Sequence, residues 1–90
     1  MNAAISKEIL SIRGSATRPN FAYYKFELRR EEDKAWAFIR SFNRPVTNDI
    51  LMNWDTQPLR PGVYWLRLIV VDSRGNFWPE FAQLRFSISN

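Results

Sequence analysis

The 90-residue sequence contains no cysteine and no histidine. Without cysteine, a disulfide scaffold, a cysteine-ligated zinc site and a thiol nucleophile are all excluded. Without histidine, the chain lacks the usual general base near neutral pH and the commonest metal ligand. Catalysis would have to depend on carboxylates and lysines, and no loop has the dense, glycine-hinged acidic spacing of a calcium site. We therefore expect a non-enzyme that uses no cofactor and no metal.

Long apolar runs are also missing. No stretch approaches the ~20 apolar residues that a membrane-spanning helix needs, and the first ten residues lack the pattern of a secretion signal. We expect no membrane span in this segment, and if the protein is exported, its signal belongs to a larger parent chain. Because a chain of this length can bury only one core, we expect a single domain over residues 1–90, excised from a longer protein.

The charges do not form a block. Thirteen Lys and Arg stand against nine Asp and Glu, which gives a net charge of +4, and the two signs are interleaved, as in residues 29–34. This pattern favours a solvated mixed surface over the basic stripe of a nucleic-acid-binding protein. The apolar fraction of 46% and the aromatic fraction of 16% are sufficient for a core without a disulfide or a metal.

Apolar and polar residues alternate with a period of two through most of the chain, which is typical of strands with one buried face. Clusters of turn-forming residues divide the chain at residues 13–20, 29–34, 42–49, 55–62 and 72–76. The predicted strands cover about 8–13, 21–29, 35–41, 50–54, 63–71 and 80–88, and a short leading strand near Ala3 to Ser6 would make a seventh.

Six or seven short strands with one wet face each predict an all-β fold, an antiparallel β-sandwich with Greek-key connections. A closed barrel of the OB type is the alternative architecture. Three strands supply the faces that we expect to build the core: Tyr24, Phe26 and Leu28; Tyr64, Leu66, Leu68 and Val70; and Leu84, Phe86 and Ile88.

The start of the fifth predicted strand has the pattern of a tyrosine corner. Pro61 favours a turn, Gly62 permits a positive φ, and Tyr64 is the first inward-facing residue of the strand. The Tyr64 hydroxyl is then placed to bond the backbone a few residues upstream, as in sandwich domains. The sequence therefore predicts a structural role for these three residues.

The chain resembles the bacterial immunoglobulin-like, fibronectin type III-like domains that are appended to secreted and surface enzymes. The resemblance covers most of the chain and is carried by the combination of NFAYY (residues 20–24), NWDT (53–56) and PGVY (61–64). It is strongest to the version near the C-termini of bifunctional penicillin-binding proteins and other cell-envelope proteins. The resemblance implies a β-sandwich in an extracytoplasmic protein and a non-catalytic role as a spacer or docking surface.

Aromatic and apolar residues on the face opposite the core form the candidate contact surface. Trp65, Ile69 and Val71 alternate onto that face, and Tyr23 and Trp78 are assigned to the same surface. Clustered exposed aromatics are unusual on a monomer. The surface would contact a neighbouring domain of the parent chain, a partner, or a wall glycan such as peptidoglycan, unless the chain's own loops cover it.

Aromatic residues interleaved with arginines, as in residues 36–40 and 64–68, suit base stacking and phosphate binding. The alternative function is therefore a basic domain that binds single-stranded nucleic acid on an OB-like barrel. The simpler interpretation is that the arginines alternate with core residues because strands need a polar face. The residues eligible to stack a sugar ring are Tyr23, Trp36, Trp65 and Trp78, although Trp36 and Trp54 are interpreted first as core or sandwich-edge residues.

Overall fold

The computed structural model describes residues 2–6, 9–77 and 82–89, and these segments contain seven strands and no helix. No part of what is described could therefore cross a membrane as a helix. The strands are β1 (Asn2–Ser6), β2 (Ile9–Ala16), β3 (Phe21–Arg30), β4 (Ala37–Phe42), β5 (Val46–Asp55), β6 (Gly62–Asp72) and β7 (Ala82–Ser89).

The strands form two separate sheets rather than a closed barrel. The larger sheet has the order β1-β7-β6-β3-β4, and the smaller sheet pairs β2 with β5. Every pairing is antiparallel except that of β1 with β7, which is parallel. The expectation of a purely antiparallel sandwich is therefore wrong at this edge of the larger sheet, where β1 follows the direction of β7.

The core lies between the two sheets and draws side chains from both. Trp54 of the smaller sheet meets Phe86 of the larger one edge to face, with ring centroids 5.8 Å apart. Phe86 also stacks on Tyr64 at 5.7 Å. The buried cluster contains Ala16, Tyr24, Phe26, Leu51, Met52, Trp54, Tyr64, Leu66, Phe86 and Ile88. Leu28, Leu68, Val70 and Leu84 pack against this cluster and are half-buried. The predicted inward faces are confirmed, and so is the interpretation of Trp54 as a core residue.

The smaller sheet is longer than predicted because it contains bulges. β5 begins at Val46, although the turn residues around it predict a loop up to residue 49. The pairing of β2 with β5 shifts register between Ile12 and Arg13, and again between Gly14 and Ala16. At the second shift Asn48 adopts a φ of 51°, which asparagine tolerates better than most residues, so turn-forming residues fit inside the strand.

One buried hydrogen bond joins the two sheets. The Tyr24 hydroxyl of β3 donates to the carbonyl oxygen of Leu51 in β5 at 2.6 Å. Leu51 lies at the first register shift, where β2 offers no residue opposite it. Both residues are buried, at 2% and 5% exposure, so water cannot replace the hydroxyl. Burial also raises the pKa of Tyr24, against a smaller opposing effect of the Arg44 charge.

The tyrosine corner has the geometry that the sequence predicts. The Tyr64 hydroxyl donates to the carbonyl oxygen of Arg60 at 2.7 Å and accepts from Nη1 of Arg30 at 2.9 Å. Gly62 has a φ of 153°. A Cβ at this position would collide with the Arg30 guanidinium. The corner therefore fixes the loop from β5 to β6 against the end of β3.

Replacing Tyr24 with Phe should lower the free energy of unfolding by about 1–3 kcal/mol, because the Leu51 carbonyl would be left buried without a donor. Urea unfolding followed by tryptophan fluorescence measures the loss. Tyr23→Phe is the matched control, since Tyr23 is 36% exposed on the opposite face, and it should change stability by less than about 0.5 kcal/mol. Equal stability of the two variants would show that the cross-sheet bond contributes nothing.

Replacing Tyr64 with Phe should cost about 0.5–1.5 kcal/mol, which is less than the Tyr24 change. Arg60, the acceptor, is exposed, so water can bond its carbonyl once the hydroxyl is gone. Thermal unfolding under the same buffer conditions measures the difference. A Tyr64→Phe variant as stable as the parent chain would rule out the corner as a stabilising element.

Candidate functional site

The candidate site lies on the outer face, the face of the five-stranded sheet turned away from β2 and β5. Strand alternation places Tyr23, Lys25, Glu27 and Arg29 of β3 on this face beside Trp65, Arg67, Ile69 and Val71 of β6. The register sets Arg29 opposite Trp65, Glu27 opposite Arg67, Lys25 opposite Ile69, and Tyr23 opposite Val71. One end of the face is therefore charged and aromatic, and the other end is mainly apolar.

Two tryptophans and two arginines interleave at the charged end; we name Arg29, Trp36, Trp65 and Arg67 the Trp–Arg cluster. The Arg67 guanidinium carbon lies 4.1 Å from the centre of the Trp36 ring. The Arg29 guanidinium lies 5.1 Å from Trp36 and 5.7 Å from Trp65. These distances are within the range of cation–π attraction. Both tryptophans are half-buried, so part of each ring remains accessible.

Hydrogen bonds hold the arginines of the cluster in place. Arg67 donates through Nε to Oε1 of Glu27 at 2.7 Å, and Lys25 also reaches Glu27 at 3.4 Å. The Arg67 and Glu27 side chains are only 20% and 14% exposed. Arg29 donates through Nη1 to backbone carbonyl oxygens of the β3–β4 turn, including that of Asp33 at 3.0 Å. Paired and oriented guanidinium groups of this kind lose little freedom when a partner arrives.

Glu31 connects the cluster to β7. Arg85 donates to both Glu31 carboxylate oxygens, through Nε at 2.5 Å and Nη2 at 2.8 Å. This bond lowers the pKa of Glu31, and a hydrogen bond from Trp65 lowers it further. The same contact raises the pKa of Arg85. The carboxylate therefore neutralises Arg85 and helps to orient Trp65.

The residues predicted to form the contact surface do not lie together. Trp65 is in the Trp–Arg cluster, whereas Tyr23 lies six residues along β3 from Arg29, about 20 Å away. Tyr23 is 36% exposed. Trp78 falls outside the described residues. The predicted patch is therefore divided between two ends of one face.

Ile69 and Val71 follow the alternative interpretation, in which the chain covers its own outer face. Both lie on the outer face, but they are only 5% and 3% exposed. Val71 has Tyr23 opposite it on β3, and on its other side it forms an antiparallel bridge with Phe77. The chain itself covers the outer face of β6 at this end of the sheet. Neither residue is available to a partner.

Three residues of the cluster are absent from the predicted contact surface: Arg29, Trp36 and Arg67. Trp36 directly precedes β4, the edge strand of the larger sheet, which agrees with a sandwich-edge position, and its ring lies under Arg67 on the outer face. The available signal was the interleaving of tryptophan and arginine in residues 36–40 and 64–68. It could not show that the two segments meet, because their contact depends on the register between β3 and its two neighbours.

The carboxylates of two turns have structural partners. Asp55 accepts the Gln57 N–H at 3.0 Å, and Asp72 accepts the N–H groups of Arg74 and Asn76 at 3.0 and 2.9 Å. The bond from Asn76 contributes most to the lowered pKa of Asp72. In the part of the chain that the structure describes, no group of three acidic residues could hold a metal ion.

No protein-family model matches this chain, and no curated protein matches it.

Acid should weaken the link between Glu31 and Arg85. The pKa of Glu31 in the folded state lies below its ordinary value of 4.5, so its stabilising effect is complete above that value and is lost as the pH falls through the folded pKa. The parent chain should therefore lose more stability between about pH 5 and pH 3 than Glu31→Gln does. Urea unfolding across this range measures the slopes.

The matched control is Glu32→Gln, which removes the same charge from the neighbouring residue. The Glu32 carboxylate is more exposed than that of Glu31, at 65% against 43%. If Glu31→Gln and the parent chain showed the same pH dependence, the Glu31–Arg85 contact would not stabilise the folded state.

Proposed function

We propose that this chain is a non-catalytic accessory module of the immunoglobulin-like, fibronectin type III-like class, and that it docks against a neighbouring folded domain through the Trp–Arg cluster. We assign it to an extracytoplasmic bacterial protein of the penicillin-binding, peptidoglycan-synthesising kind. The class is supported by the alternation of the chain between two sheets and by the tyrosine bond at the start of β6. The cellular setting depends on the sequence resemblance alone.

The single observation that carries the docking function is the ordered state of the Trp–Arg cluster. Tryptophan and arginine are the residues most enriched at the energetic centres of protein interfaces. Here two of each are interleaved and fixed by Glu27 and by the β3–β4 turn. A surface that is already ordered pays a small entropic cost on binding, which suits a permanent contact between neighbouring domains.

The geometry of the cluster favours a protein neighbour over a wall glycan. A sugar ring binds tryptophan by stacking on a free ring face, but Arg67 lies 4.1 Å above the centre of Trp36. Arg29 lies within 5.7 Å of the Trp65 ring centre. A glycan would have to displace these guanidinium groups, whereas a protein could add carboxylates or carbonyl groups around their edges.

Ion pairing argues against the nucleic-acid alternative. Arg67 is paired with Glu27, Arg85 with Glu31, and Arg18 with Asp72. These cations are already neutralised, so few counterions would be released when a phosphate backbone binds. The open two-sheet fold also differs from the OB-like barrel that this alternative assumes.

Photo-crosslinking in the natural full-length protein tests the docking function. A photoreactive benzoyl-phenylalanine in place of Trp65 should yield a crosslink to another protein domain, detected by peptide mass spectrometry. The same group in place of Tyr23, about 20 Å along the outer face, is the matched control and should crosslink at least several-fold less. Equal yields at both positions, or no protein adduct at Trp65, would contradict docking through the cluster.

A titration of the isolated chain tests whether a wall glycan or a nucleic acid binds the Trp–Arg cluster instead. Backbone amide shifts would be followed on adding muropeptides and, separately, a single-stranded oligonucleotide at two salt concentrations. We expect no saturable shift near Trp65 with either probe. Shifts with muropeptides would make the cluster a glycan-binding site, and shifts with the oligonucleotide that fade steeply with salt would favour nucleic acid.

A further inference from the structure

We propose that the free edge of β5 is a second binding site, which takes an extended acidic peptide segment of a partner protein as a third strand of the smaller sheet. β5 runs from Val46 to Asp55 and pairs with β2 along one edge only. No other strand of the described residues pairs with its opposite edge. This site is separate from the outer face and does not depend on the docking function proposed above.

A groove of about 1000 Å³ runs along this edge, between β5 and the end of β4. It exists because two strands cannot cover five, so the inner side of β4 projects beyond the smaller sheet. Phe42 lines the groove and is half-buried, and its ring stacks at 5.0 Å on that of Tyr24, which is buried. Residues 49–53 of β5 form the opposite wall. Five strand residues extend about 17 Å, so the groove accommodates an extended segment of five or six residues.

The backbone N–H of Ile50 could bond an added strand. The Ile50 N–H donates to Oδ1 of Asp49 at 2.7 Å, so its acceptor is the exposed carboxylate of the adjacent residue. A carbonyl oxygen of an incoming strand can replace this carboxylate. The Ile50 side chain lines the groove and is 38% exposed. An unpaired edge of this kind is a general template for strand addition.

The residues that line the groove indicate which peptide side chains it would favour. In an added strand, every second side chain would point toward Phe42 and the larger sheet, which favours apolar residues at alternate positions. Arg44 lines the groove and is exposed. Among the described residues it has no ion-pair partner, whereas Asp49 is already within 3.8 Å of Arg13. The free cation favours an acidic residue in the peptide.

A second copy of this chain fits the groove poorly. The side chains of β5 that would have to fill the groove, Leu51, Met52 and Trp54, are already buried in their own core. Each copy also carries a net charge of +4. A partner segment with free apolar side chains and negative charge satisfies the edge, the aromatic lining and Arg44 together.

The test begins with a displayed library of random decapeptides, selected on the intact 90-residue chain. The peptides that are enriched should alternate apolar and polar residues and contain Asp or Glu. A synthetic copy of an enriched peptide, titrated into the labelled chain, should shift the amide signals of residues 49–53. An added strand bonds the edge with alternate residues. Methylation of the alternate backbone nitrogens that face β5 should therefore abolish binding. Methylation of the other alternate nitrogens, which face away from β5, should leave binding unchanged.

Two variants and one matched control complete the test. Ile50→Lys and Arg44→Glu each change an exposed side chain of the groove, and each should weaken peptide binding at least tenfold. Ile9→Lys makes the same substitution at an exposed position of β2 and should leave the affinity unchanged; Ile9 is 64% exposed. Thermal unfolding of the three variants shows whether each one folds.

Several results would overturn the proposal: no enrichment of peptides, equal binding by Ile50→Lys and Ile9→Lys, or shifts confined to the Trp–Arg cluster. Concentration-dependent dimerisation that Ile50→Lys abolishes would also overturn it, because a second copy would then be the occupant. Trp65→Ala should not affect peptide binding, so failure of this site and failure of the docking function can be told apart.

Discussion

The structure depends on the packing of a two-stranded sheet against a five-stranded one. Neighbouring strands lie about 4.8 Å apart, so β2 and β5 cover less than half the width of the larger sheet. The core is confined to the overlap, where Trp54 meets Phe86 and the Tyr24 hydroxyl bonds the Leu51 carbonyl oxygen. Where the overlap ends, the groove along β5 begins. Leu51, at the bulge, accepts the inter-sheet bond and also lines the groove.

The outer face shows how one sheet can have two kinds of surface. At the end near Val71 the chain covers the sheet, and the outward side chains Ile69 and Val71 are buried. At the other end, charged side chains take the place of a covering segment: Arg67, Glu27 and Arg29 shield the tryptophans while leaving part of each ring accessible. The accessible part of the face is therefore a mixture of tryptophan and arginine side chains.

Alternation and turn residues were sufficient to predict the all-β fold, the core faces and the bond at Tyr64. They did not predict features that depend on residues far apart in the sequence. Val46 to Asp49 resemble a turn, but a bulge opposite Ser15 and Gly14 accommodates them in β5. The outward direction of Ile69 was correct, but its burial depends on chain segments distant in sequence. The contact of Trp36 with Arg67 depends on register, which no single strand encodes.

The central claim is that β5 has one paired edge and one free edge, and amide hydrogen exchange of the isolated chain tests it most directly. Residues Tyr64 to Leu68 of β6 pair with β3 on one side and β7 on the other, so their amides should exchange only through global unfolding. The Ile50 amide donates to the exposed Asp49 carboxylate, and on the proposed free edge it should exchange faster by several orders of magnitude. Protection of Ile50 equal to that of β6 would show that this edge is covered and would contradict the account.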